Sequence, residues 1–249
     1  MMKRAAQALK RQDWTAIVIE FLLVVIGVLL AFQISEWASG RDEQKVRRES
    51  VERLLHESEQ DVASLRDMVT PQKMLLLPNM TLAAANLRDP APSPRIADAF
   101  RDSIRGSAVL PKPDAPDSVY RELIASGRFG KVGDVSMRDA VANYASAMRY
   151  LDQAIDYARM DTSRPWESDA IHFAYDTSNP RTRRVEVDFR KLSMDRAAQD
   201  QFLRRLGDQQ FVVGVYSEAL TAAEAMCREV ARVAGKPCQP PPSPVVGRK

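Results

Sequence analysis

Residues 16–34 form an apolar run of nineteen residues in which only Glu20 and Gln33 are strongly polar. A helix that is apolar on every side needs lipid or protein all round it, so this run restricts the chain more than any other feature. At a rise of ~1.5 Å per residue, the interval from Trp14 to Trp37 spans roughly 34 Å, close to a bilayer core of about 30 Å. A tryptophan at each end fits an aromatic belt. Lys3, Arg4, Lys10 and Arg11 precede the run against one acid, Asp13, which predicts a cytoplasmic N-terminus. The expected organisation is a cytoplasmic segment (residues 1–13), a transmembrane helix (14–37), a helical periplasmic domain (38–236) and a disordered proline-rich tail (237–249), in a bacterial inner membrane. A cleaved signal peptide is the rival reading, with Ala38-Ser39-Gly40 as its small residues. The run exceeds a usual signal core of roughly 7–15 residues, and Gln33, Glu36 and Trp37 suit a cleavage region poorly. A helix buried in a soluble core is a further alternative.

At ~100° per residue, Glu20, Gly27 and Ala31 share one face of this helix, and Ser35 extends it. Small residues let helix backbones approach closely in lipid. A carboxylate at the depth of Glu20 costs on the order of 2–3 kcal/mol unless it is paired, protonated or snorkelled. Gln33 falls on the opposite side. The expected partners are the bilayer itself and either another membrane protein or a second copy, joined through this helix.

The run Glu20-Phe-Leu-Leu-Val-Val-Ile-Gly27-Val-Leu-Leu-Ala31-Phe-Gln33-Ile-Ser-Glu-Trp37 resembles the membrane helix of the bacterial "domain of unknown function 6090" family. The stretches Ser118-Val-Tyr120-Arg-Glu-Leu-Ile-Ala-Ser126-Gly127 and Arg138-Asp-Ala-Val-Ala-Asn143-Tyr144 resemble its central motifs. The resemblance implies a single-pass membrane protein and supplies no activity. It covers the apolar run and the middle of the chain, and it does not extend to the last quarter.

Outside the apolar run the fold class expected is all-α in the main: an elongated antiparallel bundle continuing from the membrane helix. Val51, Leu55, Ser58, Val62, Leu65 and Val69 recur at 4-3 spacing, the seam of a coiled-coil-like helix. Pro71 and Pro78 then predict a break or a bend, and further prolines mark loops at 88–94 and 111–116. A short helix is expected at 95–104 and another at 117–126, stopped by Gly127. Ser136 to Asp139 reads as a capping box opening a helix through Val141, Tyr144, Met148, Leu151, Ile155 and Ala158. A last helix is expected at 208–234 through Phe211, Val215, Ala219, Ala222, Met226, Val230 and Val233. Three helices of roughly 27 residues, ~40 Å each, would pack side by side. Alternation at Val185, Val187 and Phe189, with Phe173 and Tyr175, allows a small hairpin around Thr177-Ser-Asn-Pro180; an irregular loop is the alternative.

A formal net charge of +3 is small for 249 residues, so neither a broad basic face nor a nucleic-acid partner is expected. Two histidines and two cysteines leave few ligands for zinc, and no metal or cofactor is expected. The chain holds no phosphate loop, no Gly-x-Ser-x-Gly and no His-Glu-x-x-His. Gly127, Gly130 and Gly133 are spaced for capping rather than for a dinucleotide. His56 reads as a solvated helix residue. His172 could titrate near neutrality, and Arg181, Arg183 and Arg184 could hold an anion; a structural histidine and a solvated basic surface are the simpler readings. Cys227 and Cys238 either pair, in an oxidising compartment, or remain free thiols.

Without an assembled catalytic constellation, the chain is expected not to be an enzyme. The leading expectation is a membrane-anchored scaffold or interaction subunit. The alternative is a periplasmic ligand-sensing bundle that signals through a partner protein. An Arg- and Tyr-lined pocket between the long helices would favour sensing, and a flat apolar patch would favour scaffolding.

Overall fold

The computed structural model describes the backbone of residues 14–175 and 183–242, and the side chains within them except at 14–17, 34–36, 38–40, 42, 175 and 183. Within these residues the protein is mainly helical: α1 (Trp14–Pro71), a π-helical turn (Gln72–Leu76), α2 (Leu77–Ala84), α3 (Pro94–Gly106), α4 (Ser118–Ala125), a 3-10 turn (Phe129–Lys131), α5 (Val135–Thr162), β1 (Ile171–Tyr175), β2 (Arg183–Val187), α6 (Phe189–Met194) and α7 (Arg196–Ala234). It divides into two units, residues 1–50 and 51–249.

The first unit carries the apolar run. Its described side chains from Val18 to Phe32 project outward, with Phe21 at 67% and Phe32 at 68% exposure. The described side chains of the run extend only from Val18 to Gln33, sixteen residues or ~24 Å. Among the described residues no helix is long and apolar enough to cross a membrane. The Arg41 guanidinium lies 4.3 Å from the Trp37 ring centroid, and Ser50 Oγ donates to the Val46 carbonyl.

The second unit is built on α5 and α7, which pack together with the part of α1 from Val51 onward around one core. All six residues of the expected seam at 51–69 are buried. Ion pairs fix the directions. Arg232, near the end of α7, meets Asp134 at the start of α5 at 2.6 Å. Arg66 meets Glu224 at 2.7 Å, and Lys236 meets Glu52 at 2.8 Å. Helix α7 therefore runs antiparallel to both α5 and α1. A second core joins α2, α3, the hairpin and the first turns of α7 through Ala83, Phe100, Ile104, Val185, Ala198 and Phe202.

Several expectations need correction. The long helices have 58, 28 and 39 residues rather than equal lengths. Helix α7 begins at Arg196, twelve residues earlier than expected, with Asp195 as its N-cap. Its buried seam runs Ala198, Phe202, Arg205, Gln209, Val212, Tyr216, Ala219, Ala223, Met226 and Val230. The 4-3 spacing is unbroken, but Arg205 and Gln209 sit in it. Both are satisfied in part. Arg205 donates to the Arg164 carbonyl and stacks on Trp166, and Gln209 Nε2 donates to the Ser107 carbonyl. Phe211, expected on the seam, is 44% exposed.

Between Pro71 and Pro78 the α-helical pattern is interrupted without a loop. Pro71 closes α1, the π-helical turn takes up the change in hydrogen bonding, and Pro78 lies in the first turn of α2, where a missing N–H costs nothing. The cap of α5 is Asp134 rather than Ser136. The Asp134 carboxylate accepts from the Met137 N–H at 3.0 Å, and the left-handed Gly133 (φ +64°) turns the chain into it.

The hairpin is present, with Ile171 opposite Val187 and Phe173 opposite Val185. Its expected turn, residues 177–180, lies outside the described residues. Phe189 belongs to α6, not to the strand. Cys227 and Cys238 form a disulfide with Cα atoms 5.7 Å apart. Beyond it, the Gln239 N–H donates to Glu59, so the first tail residues are tied to α1. Residues 243–249 lie outside the described residues.

Candidate functional site: an acidic cavity in the bundle

A cavity of about 590 Å³ opens between α1, the loop before α4, α4 itself, α5 and one residue of α7. Leu54, Val141, Met148 and Met226 give it apolar walls. Glu57, Asp61, Tyr120 and Tyr144 bring polar atoms to it, with Asp117, Arg121, Arg149 and Asp152 also on its lining. This volume lies in the usual range for small-molecule sites, roughly 300–1,000 Å³.

The fold explains why two acids are held here. Glu57 and Asp61 are one helical turn apart on α1, so they share a face. That face flanks the buried seam, and Glu57, Asp61 and Tyr144 are 6%, 1% and 8% exposed. Glu57 also supports the fold. Its Oε2 accepts the Val119 N–H at 3.0 Å and caps α4, which the Asp117 side chain does not cap. Its other oxygen is left over. Among the described residues Glu57 Oε1, Asp61 Oδ1 and Tyr144 Oη are buried with no hydrogen-bond partner.

The electrostatics follow from burial with little compensation. Burial raises the Glu57 carboxyl, and the Val119 N–H opposes this only in part. Burial pushes Asp61 up to about 8, and the charges of Glu57 and Asp117 add to the rise; the nearby Tyr144 hydroxyl offsets a little of it without an aligned hydrogen bond. Burial, then Asp61, raise Tyr144 above its ordinary range. The cations of the lining do not reach this group in an ion pair: Arg121 is paired with Asp117 at 2.6 Å, and Arg149 is exposed. Three residues that each hold a buried oxygen without an aligned partner therefore line one cavity.

No family model matches this chain, and no curated protein or solved structure matches it either.

The residues singled out from the sequence lie elsewhere. His172 is exposed on β1, opposite Glu186 across the hairpin. Arg184 is exposed two positions from Glu186 on the same strand face. Arg181 and the Arg183 side chain lie outside the described residues. Among the described residues no group of His, Cys, Asp and Glu could hold a metal ion. His56 is exposed and 3.0 Å from Gln60 Nε2.

In the first unit Glu20, Gly27 and Ala31 are exposed or half-exposed, and a Cβ at Gly27 would meet nothing within 4 Å. The side chains of Ser35 and Trp14 lie outside the described residues; Gln33 and Trp37 are exposed. Sequence reasoning missed Glu57 and Asp61. A signal existed: Leu54, Asp61 and Met68 form a heptad row beside the seam, and an acid in such a row faces the bundle.

Proposed function

We propose that this chain is a membrane-anchored ligand-sensing helical bundle whose binding site is the cavity between α1, α4 and α5. The observation that carries this reading is that Glu57, Asp61 and Tyr144 line a cavity of about 590 Å³ and each holds a buried oxygen without a partner. A bundle selected for stability alone gains by placing apolar residues there, because unpaired buried polar groups cost about 1–3 kcal/mol each. Keeping them is consistent with a ligand that satisfies them.

The anchor is part of the same proposal. The nineteen-residue run at 16–34 would span ~28 Å as a helix, and its described apolar side chains are exposed or half-exposed. The basic residues before it favour a cytoplasmic N-terminus and a periplasmic bundle. The Cys227–Cys238 disulfide suits an oxidising compartment. The bundle would signal through a partner protein.

The reading is tested with the full chain in non-ionic detergent, screened against small polar metabolites by ligand-observed NMR. Hits should vanish in Ala145→Trp, which fills the cavity. Hits that persist in Ala145→Trp would refute it. A scaffold subunit is the second reading, favoured by the open Gly27 face and the exposed Glu20 and Ala31 beside it.

A further inference from the structure

We propose that the cavity takes a protonated alkylamine, with the ammonium group seated between Asp61, Glu57 and Tyr144. The proposal rests on reading the cavity as a ligand site and names what would bind there.

Donors and acceptors match in number. An alkylammonium group has three N–H donors and no acceptor. The cavity presents three unpartnered oxygens, Asp61 Oδ1, Glu57 Oε1 and Tyr144 Oη, all able to accept. A neutral hydroxyl would satisfy one of them as a donor and leave the others. An anion brings no donor to these oxygens, whereas a cation favours ionisation of the two carboxyls that burial holds towards their neutral form. Acids capped or paired elsewhere in the molecule do not share this situation: Asp134 and Asp195 accept from helix N-termini, and Asp134 also meets Arg232.

The walls select the kind of cation. A hard divalent ion takes 6–8 oxygen ligands, and among the described residues no acid group of metal-binding arrangement occurs. The walls around the acids are apolar, built from Leu54, Val141, Met148 and Met226. These would shed water on meeting methylene groups and give an inorganic ion nothing. The rings of Tyr120 and Tyr144 add faces that attract an ammonium group. A short alkyl chain ending in an ammonium group fits both halves of the cavity.

The experiment uses the full chain in non-ionic detergent and calorimetric titration with four probes of one carbon skeleton: cadaverine, 5-amino-1-pentanol, 1,5-pentanediol and glutarate. The two amines should bind at least about tenfold more tightly than the diol, and glutarate should be weakest. Asp61→Asn should lose at least about tenfold in amine affinity while its circular dichroism stays that of the wild type. Glu57→Gln, which keeps an oxygen for the α4 cap, should lose affinity in the same direction. Equal binding of amine and diol, preference for glutarate, or an Asp61→Asn variant with unchanged amine affinity would each overturn the proposal. Diol or glutarate binding that Ala145→Trp abolishes overturns the amine preference alone and leaves the cavity a ligand site. Absence of amine binding up to about 10 mM, beyond ordinary ligand affinities, overturns the amine assignment whatever the metabolite screen returns.

Discussion

Replacing Asp61 with asparagine should stabilise the protein at neutral pH, although the residue is 1% exposed in the core. An acid in the unfolded chain ionises near 3.8, whereas burial holds Asp61 protonated up to about 8. The folded state therefore binds a proton that the unfolded state releases. The stabilisation is fully present below pH 4 and is lost as pH rises towards 8, at about 1.4 kcal/mol per unit. Between pH 5 and pH 7 this amounts to about 3 kcal/mol. Asparagine mimics the protonated acid in shape and lacks the titration, so at pH 7 the variant should gain about 4 kcal/mol. For a domain of this size the gain corresponds to a rise in Tm on the order of 10 °C.

The assay is thermal unfolding of the full chain in detergent, wild type against Asp61→Asn, from pH 5 to pH 8. Glu57, Asp117 and Tyr144 face Asp61 in the cavity and Asp152, Tyr120, Arg121 and Arg149 also line it, so the difference between the curves reports Asp61 together with its coupling to Glu57, Asp117 and Tyr144. The curves should converge towards low pH and diverge as pH rises. An Asp61→Asn protein that melts below the wild type at pH 7, with a constant offset across the range, would mean that Asp61 is ionised and paired, and the account of the cavity would fail.

Cys227→Ser should lower stability by about 2–3 kcal/mol, since the bond closes a short loop; thiol labelling of the unreduced, denatured wild type should find no free cysteine, and labelling at both positions would refute the bond. A reporter fused after Arg41 should be active only outside the cytoplasm, and a mature chain starting near Arg41 would replace the anchor with a signal peptide. Glu20→Gln and Gly27→Leu should each weaken cross-linking in detergent, with non-additive effects because one interface carries both; wild-type yields from both would reduce the helix to a simple anchor. Tyr216→Phe removes the hydroxyl bonded to the Pro111 carbonyl and should cost about 1 kcal/mol, measured by denaturant unfolding.

The long helices were legible where apolar residues mark the seam. Val51 to Val69 and Val141 to Ala158 read correctly because their 4-3 spacing is filled by apolar residues, with the small Ser58 the one polar member. The start of α7 was hidden because its seam passes through Arg205 and Gln209, whose polar ends find carbonyls on the loops after α5 and α3. Those partners are 41 and 102 residues away in sequence, and no local pattern reveals them. The cavity was illegible for a related reason. Glu57 and Asp61 look like solvated charges on a helix otherwise rich in acid, and only the packing of α4 and α5 over them takes the water away. The disulfide was legible as one of two options, since Gly235 reverses the chain with φ +66° and returns Cys238 to the helix.

The antiparallel pairing of α1 with α7 has a consequence for biosynthesis. Leu54, Val62 and Leu65 are almost completely buried in the finished protein, in one core with Ala219, Ala223 and Met226. These partners leave the ribosome about 160 residues later, roughly 8–30 s at ordinary elongation rates. Until then the stripe is covered only in part, by the earlier-emerging Val119, Leu123, Val141 and Tyr144 of the same core. A newborn chain is then most prone to aggregation at its beginning, and a holdase that recognises the stripe at 51–69 would protect it until the last helix arrives.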